Sequence, residues 1–238
     1  MHDEPFRVNV RYTYNLIDEK GNFGEASSFK VDLDIGDEEV KQYVDPAPDW
    51  CRLSHHQCAG CPLSADTNKY CPAALSIADV VQYFANVKSF SSCHCVVEFP
   101  ERKIEATRAT QDALYPLLGL RLSTSRCPIL HRLSPLARFH EPFATSLSTV
   151  FRAFGYILLQ EYLRSHETGV PMAFDEETMK EYYEKVGEIN RNLSQRLADA
   201  AVLDASPNGI FVLSLFTMSL TYLFEQSKST LMELCSKA

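Results

Sequence analysis

Between Pro48 and Ala73 the chain follows neither a helical nor a strand period, and it is dense in cysteine, proline, asparagine and aspartate. Such a stretch cannot order itself by burying one regular face. It contains His56-Gln57-Cys58-Ala59-Gly60-Cys61-Pro62 and Tyr70-Cys71-Pro72, and Arg126-Cys127-Pro128 follows further on. A Cys-x-x-Cys pair lets two thiolates from one tight turn reach a single metal centre, and two distant cysteines complete a four-sulfur shell. Three of these four sulfurs precede proline, which fixes φ and stiffens the chain beyond each one. A metal cross-link through Cys58, Cys61, Cys71 and Cys127 would explain how so irregular a segment becomes ordered.

The identity of the metal is less constrained. Structural zinc commonly takes two Cys-x-x-Cys knuckles or a Cys/His mixture, whereas one knuckle with two dispersed Cys-Pro ligands is closer to iron–sulfur proteins. The expected cofactor is a 4Fe–4S cluster, with zinc second; a 2Fe–2S cluster also fits the spacing. His56 is a possible substitute ligand in place of Cys127, with His55 beside it. Arg126 is expected to offset the negative charge of four thiolates. Cys93 and Cys95 fall on the apolar face of a strand and read as core, and Cys51 and Cys235 are not expected to be ligands.

The chain has 238 residues, eight cysteines and a formal net charge of −8. That charge argues against general nucleic-acid binding, which needs a basic surface. From Arg102 to Arg138, however, seven basic residues face two acidic ones, so a small anionic ligand is conceivable there. Met1-His2-Asp3-Glu4 does not resemble a secretion signal. A reducing, cytoplasmic setting is therefore expected, in which many cysteines suggest metal binding or reactive thiols over disulfides. No membrane association is expected.

The pattern predicts one α+β domain over 1–238. Val8, Val10, Tyr12, Tyr14 and Leu16 alternate with polar residues, a turn follows at Asp18 to Asn22, and Phe29, Val31, Leu33 and Ile35 return as a hairpin. A second hairpin pairs Cys93 to Phe99 with Arg102 to Ala106. The sheet thus occupies 5–36 and 91–108, with the Cys-rich segment at 50–73 folded over its edge. Between them Ser76 is expected to cap a helix through Phe84, and another helix spans 109–120, ending near Gly119. A helical unit fills 143–236. In it one stripe runs from Leu147 to Leu158, a second helix capped by Asp175 buries Met179, Tyr182, Val186, Ile189, Leu193 and Leu197, and Ser206-Pro207 opens the last helix. Apolar residues surround that last helix from Ile210 to Phe224, so a homodimer through the 207–224 helix is expected.

Arg138 and His140 form the second candidate site, in Ala137-Arg138-Phe139-His140-Glu141-Pro142-Phe143. Together they could bind a small anion or move a proton, which makes an enzyme the rival functional class. The plainer role for His140 is capping or core support. A nucleophilic pair of Cys127 with His131 or His140 is a further option, although no orienting residue or oxyanion loop accompanies it. A third class is a metal-free oligomeric interaction module.

These motifs resemble an uncharacterised bacterial family, a domain of unknown function, with the pattern His-Gln-Cys-x-x-Cys-Pro, Cys-Pro, Thr-Ser-Gly-Cys-Pro and Ala-Arg-Phe-His-x-Pro-Phe-Ala. Here they stand at His56 to Pro62, Cys71-Pro72, Thr124 to Pro128 and Ala137 to Ala144. The departure is Arg126, where the family pattern has glycine. The resemblance groups the four cysteines with Arg138 and His140 and implies no particular activity.

Overall fold

The computed structural model describes residues 7–35, 42–172, 176–200 and 205–237. Four strands form one antiparallel sheet: β1 (Arg7–Ile17), β2 (Phe23–Asp34), β3 (Ser92–Glu98) and β4 (Lys103–Ala109), in the order β2-β1-β3-β4. The fold is α+β. Both hairpins close as the turn residues dictate, with Gly21 at φ +83° and the Asp18 carboxylate accepting from the Lys20 and Asn22 amides.

The period-two pattern of β1 decides which face is buried. Val8, Val10, Tyr12 and Tyr14 are buried, as are Cys93, Cys95 and Val97 on β3 and Phe29 and Val31 on β2. Register places Tyr14 opposite Cys95 and Tyr12 between Phe29 and Val97. The opposite face carries exposed Arg7, Asn9 and Arg11.

Two short helices, α1 (Pro72–Ser76) and α2 (Ala78–Tyr83), replace the single helix expected from Ser76 to Phe84. The break is at Ile77, whose φ of −117° and ψ of 4° are not helical, so Ser76 ends one helix and does not cap the next. A third, α3 (Thr110–Ser123), continues past Gly119 because Leu120 and Leu122 still bury side chains. The Tyr14 hydroxyl donates to the Ala113 carbonyl at 3.2 Å, fastening α3 to the sheet. Phe84 packs edge-on against Tyr14 at 5.3 Å and beside Phe29 at 6.0 Å. Arg121, also in α3, is buried. It donates to the Ser76 and Lys30 carbonyls, pairs with Asp79 at 3.4 Å and lies 3.6 Å from the Tyr43 ring centroid.

Three long helices follow: α4 (Ser146–Thr168), α5 (Glu176–Ala200) and α6 (Ala205–Ser236). Thr145 caps α4 by accepting from the Ser148 amide, and Gly169, at φ +70°, ends it. The Asp175 cap expected for α5 lies outside the described residues. Two compact units result, one of Met1–Phe143 with Glu188–Ser214 and one of Ala144–Gly187 with Leu215–Ala238. The core of the second is Val150, Ala153, Phe154, Met179 and Tyr183, with Leu223, Phe224 and Leu231 against it. Phe154 and Phe224 stack with centroids 3.7 Å apart. In the first unit the apolar stripe of α5 buries Ile189, Leu193 and Leu197, as its sequence period requires. The side chains of 211–221, which carry most of the expected dimer surface, lie outside the described residues; beyond them Tyr222 is exposed.

The aromatic cluster gives a direct test. Phe84→Ala should destabilise the protein by about 3–5 kcal/mol in urea titrations. Phe90→Ala, at a residue 73% exposed, should change it by no more than about 0.5 kcal/mol.

Candidate metal centre on the cysteine loop

The Cys-rich segment is closed at its base by backbone pairing. The Cys71 amide donates to the Cys51 carbonyl at 2.8 Å and the Leu53 amide to the Lys69 carbonyl at 3.0 Å, around a bridge between Arg52 and Tyr70. The remainder is held from outside by one face of α5. Arg196 is only 1% exposed. Its Nη1 donates to the Trp50 and Arg52 carbonyls at 3.0 and 2.6 Å, and its Nη2 to the Leu53 and His56 carbonyls, both at 3.2 Å. A planar guanidinium is suited to this task because its donors fan out in fixed directions. On the same face the Glu188 carboxylate accepts from the Ala59 amide at 3.3 Å, the Asn192 side chain bonds Cys58, and Asp199 receives His56. Residues 188, 192, 196 and 199 recur at the i, i+4, i+8, i+11 spacing that puts them in one row.

Electrostatic coupling links the four singled-out thiols. Cys58 senses the charge of both Cys71 and Cys61, and Cys127 that of Cys71 and Cys58, so all four belong to one electrostatic neighbourhood. Among the described residues, no three of these sulfurs lie within 4.8 Å of one another. Burial pushes the Cys127 thiol up to about 11 and also raises Cys58 and Cys71. The Arg196 charge opposes this at Cys58 and Cys71. Cys51 is buried beside Cys71 and Arg196, and burial pushes its thiol up to about 12.

The two isolated Cys-Pro pairs share one local design. Pro72 occupies the first turn of α1 with Cys71 as the residue before it, and the Ala73 and Ala74 amides point at the Cys71 sulfur. Cys127 likewise receives the Ile129 and Leu130 amides as the chain enters the turn at Leu130–Ala137. Proline after the sulfur starts a helical turn, and the turn's unpaired N–H groups then face the sulfur.

Arg126 adopts φ +66°, the left-handed region, which explains why glycine suits this position in the resembling pattern. Its guanidinium meets the His131 ring at 2.8 Å. The cation acting on the cysteine neighbourhood is therefore Arg196, a residue that the spacing of cysteines could not suggest. His56 also sits at positive φ, +42°, and its Nε2 contacts Asp199 at 2.8 Å, so its ring is engaged there.

His140 is tied to the sheet. Its Nε2 lies 2.5 Å from the buried Tyr12 hydroxyl, and its carbonyl accepts from Arg102 at 2.8 Å. Burial raises Tyr12 well above the usual tyrosine range, so the phenol that meets the imidazole is neutral. Arg138 is half-buried and its amide closes a turn on Pro135. Several cations of the basic segment serve local packing: Arg102 covers the Phe99 ring, Arg108 the Phe143 ring, and Arg121 is in the core.

With this geometry in view, the chain belongs to the family described as a domain of unknown function (DUF6901), whose model matches residues 10–236. No curated protein and no solved structure matches the chain. Among the described residues, no helix is long and apolar enough to cross a membrane.

The contribution of Arg196 can be measured. Arg196→Lys keeps a positive charge but cannot reach four carbonyls, and should cost roughly 1–3 kcal/mol in urea unfolding. Limited proteolysis should then cut preferentially within 50–73. Unchanged protection of that segment would show that other contacts hold the loop.

Proposed function

We propose that Cys58, Cys61, Cys71 and Cys127 hold an iron–sulfur cluster of the 4Fe–4S type, in a cytoplasmic protein where it serves a structural, redox or sensing role. The observation that carries this reading is the mutual electrostatic coupling of the four thiols, two of which, Cys58 and Cys71, also feel the buried Arg196 guanidinium. Four thiolates make a net negative centre, and a fixed cation with N–H groups aimed at sulfur stabilises such a centre. All eight cysteines are free thiols, which suits a reducing compartment.

The motif pattern favours a cluster over zinc: one Cys-x-x-Cys knuckle with two dispersed Cys-Pro ligands is closer to iron–sulfur proteins than to the paired knuckles of structural zinc. Such a group would supply one-electron chemistry; Cys58, Cys61, Cys71 and Cys127 would hold it, with Arg196 acting on Cys58 and Cys71. The rival reading, an enzyme for a small anion at Arg138 and His140, draws less support because Tyr12 already engages the His140 ring.

Anaerobic purification followed by a visible spectrum and iron and sulfide analysis tests the proposal. A broad absorption near roughly 400 nm is expected. It should be lost in the serine variants of Cys58, Cys61, Cys71 and Cys127 and kept in Cys93→Ala and Cys95→Ala. Bound zinc without colour would replace the cluster by a structural site, and neither metal would overturn the reading.

A homodimer is proposed as the assembly; besides the 207–224 helix expected from the sequence, α4 offers a described surface for it. Phe151, Leu158, Leu159, Tyr162 and Leu163 form an exposed apolar row on α4, each 39–62% accessible. Rows of this kind are seldom left to water, and a second copy is the smallest closed assembly that covers one. Light scattering should report twice the chain mass of 26.9 kDa. Leu159→Glu with Leu163→Glu should halve it, and a monomeric wild type would rule the assembly out.

A further inference from the structure

We propose that His55, His56 and Asp199 form a second metal site, separate from the four cysteines, for a divalent first-row transition ion. His55 Nε2, His56 Nε2 and Asp199 Oδ2 all lie within 4.8 Å of one another. The carboxylate oxygen is 2.8 Å from the His56 nitrogen and 3.2 Å from that of His55. Donors on one face of an octahedron, with bonds of about 2.1 Å, stand about 3 Å apart. The two contacts of Asp199 therefore have the separation that a shared ion needs.

Consecutive residues do not ordinarily aim their side chains at one point. Here the left-handed φ of His56, +42°, turns its ring to meet that of His55 at 77° with centroids 4.8 Å apart. A non-glycine residue in that conformation is strained and needs a hold from outside. Arg196 holds it by donating to the His56 carbonyl, and Asp199 sits one turn further along α5. One helical turn thus fixes both the backbone that aims the imidazoles and the carboxylate they meet.

A simple charge pair does not account for His55. Its Nε2 is buried, and the group it faces is the Asp199 carboxylate at 3.2 Å, the same oxygen that His56 meets. Exposure of the three side chains is between 36 and 54%, which leaves an entry path and open positions for water or an oxygen ligand. Two imidazoles and one carboxylate suit zinc, cobalt, nickel or ferrous iron; magnesium and calcium favour all-oxygen shells.

Cobalt(II) titration of the purified full chain, treated with a chelator to strip labile ions, tests this. Thiolate-bound cobalt shows intense near-ultraviolet charge transfer, whereas a histidine–carboxylate site shows only weak visible bands. The wild type should bind one cobalt ion of the second kind. Asp199→Asn and His55→Ala, both at partly exposed positions, should each weaken that ion by at least about tenfold. Any absorption due to the cysteine centre should stay unchanged, as should the circular dichroism. If the wild type takes up no such ion, or if both variants bind it as tightly, the second site does not exist. Absence of the cysteine-bound cluster would leave this measurement readable, since the two ligand sets have different spectra.

Discussion

The cysteine loop depends on a single buried guanidinium. Arg196 satisfies four carbonyls that would otherwise sit unpaired behind α5, and leaving even one such group buried without a partner costs about 1–3 kcal/mol. Because its donors are rigidly arranged, the arginine also dictates where Trp50, Arg52, Leu53 and His56 lie relative to one another. Those four positions bracket the neck of the loop and the start of the Cys58 turn. The electrostatic consequence is separate from the geometric one. The same cation lies close to Cys51, Cys58 and Cys71, where it offsets part of the penalty that burial imposes on thiolates.

The sheet was legible because strand signals are local. Alternation in β1 and β3 names the buried face, and the turns between strands carry their own residues. Motif spacing singled out Cys58, Cys61, Cys71 and Cys127, and the Cys-Pro pairs acquire a physical reason in the amides that face the Cys71 and Cys127 sulfurs. What periodicity could not deliver was the polar row on α5. Glu188, Asn192, Arg196 and Asp199 look like an ordinary solvated face in sequence, because the loop they serve is distant along the chain. Their shared spacing was the available signal, and it becomes distinctive only when charged residues lie beside a segment unable to order itself. The break at Ile77 was similarly hidden, since the apolar pattern continues across it while the backbone does not.

His140 illustrates how a suggestive motif can be absorbed by architecture. Tyr12 belongs to the central strand and has no water to satisfy its hydroxyl, so a partner must come from elsewhere in the protein. The His140 ring supplies it, and Arg102 fastens the same residue through its carbonyl. The run from Ala137 to Phe143 thereby gains a structural purpose: it pins the chain after Cys127 to the strand beneath. Cys127 and the sheet are linked through this segment, which helps a cysteine so distant in sequence keep its place beside the loop.

The distance between the loop and its arginine also sets an order of events during synthesis. Trp50 and Arg196 are separated by 146 positions. At ribosomal speeds of roughly 5–20 residues per second, the nascent cysteines wait on the order of ten seconds before their anchor exists. The hairpin of β1 and β2 can close during that interval, but the neck of the loop has no partner for its carbonyls. Premature capture of an ion by the Cys58–Cys61 turn would then take place on an unanchored chain, with Cys127 arriving next and α5 last. The neck of the loop is therefore completed only after α5 has been made, so the loop's final shape is a post-translational event even though its cysteines are made early.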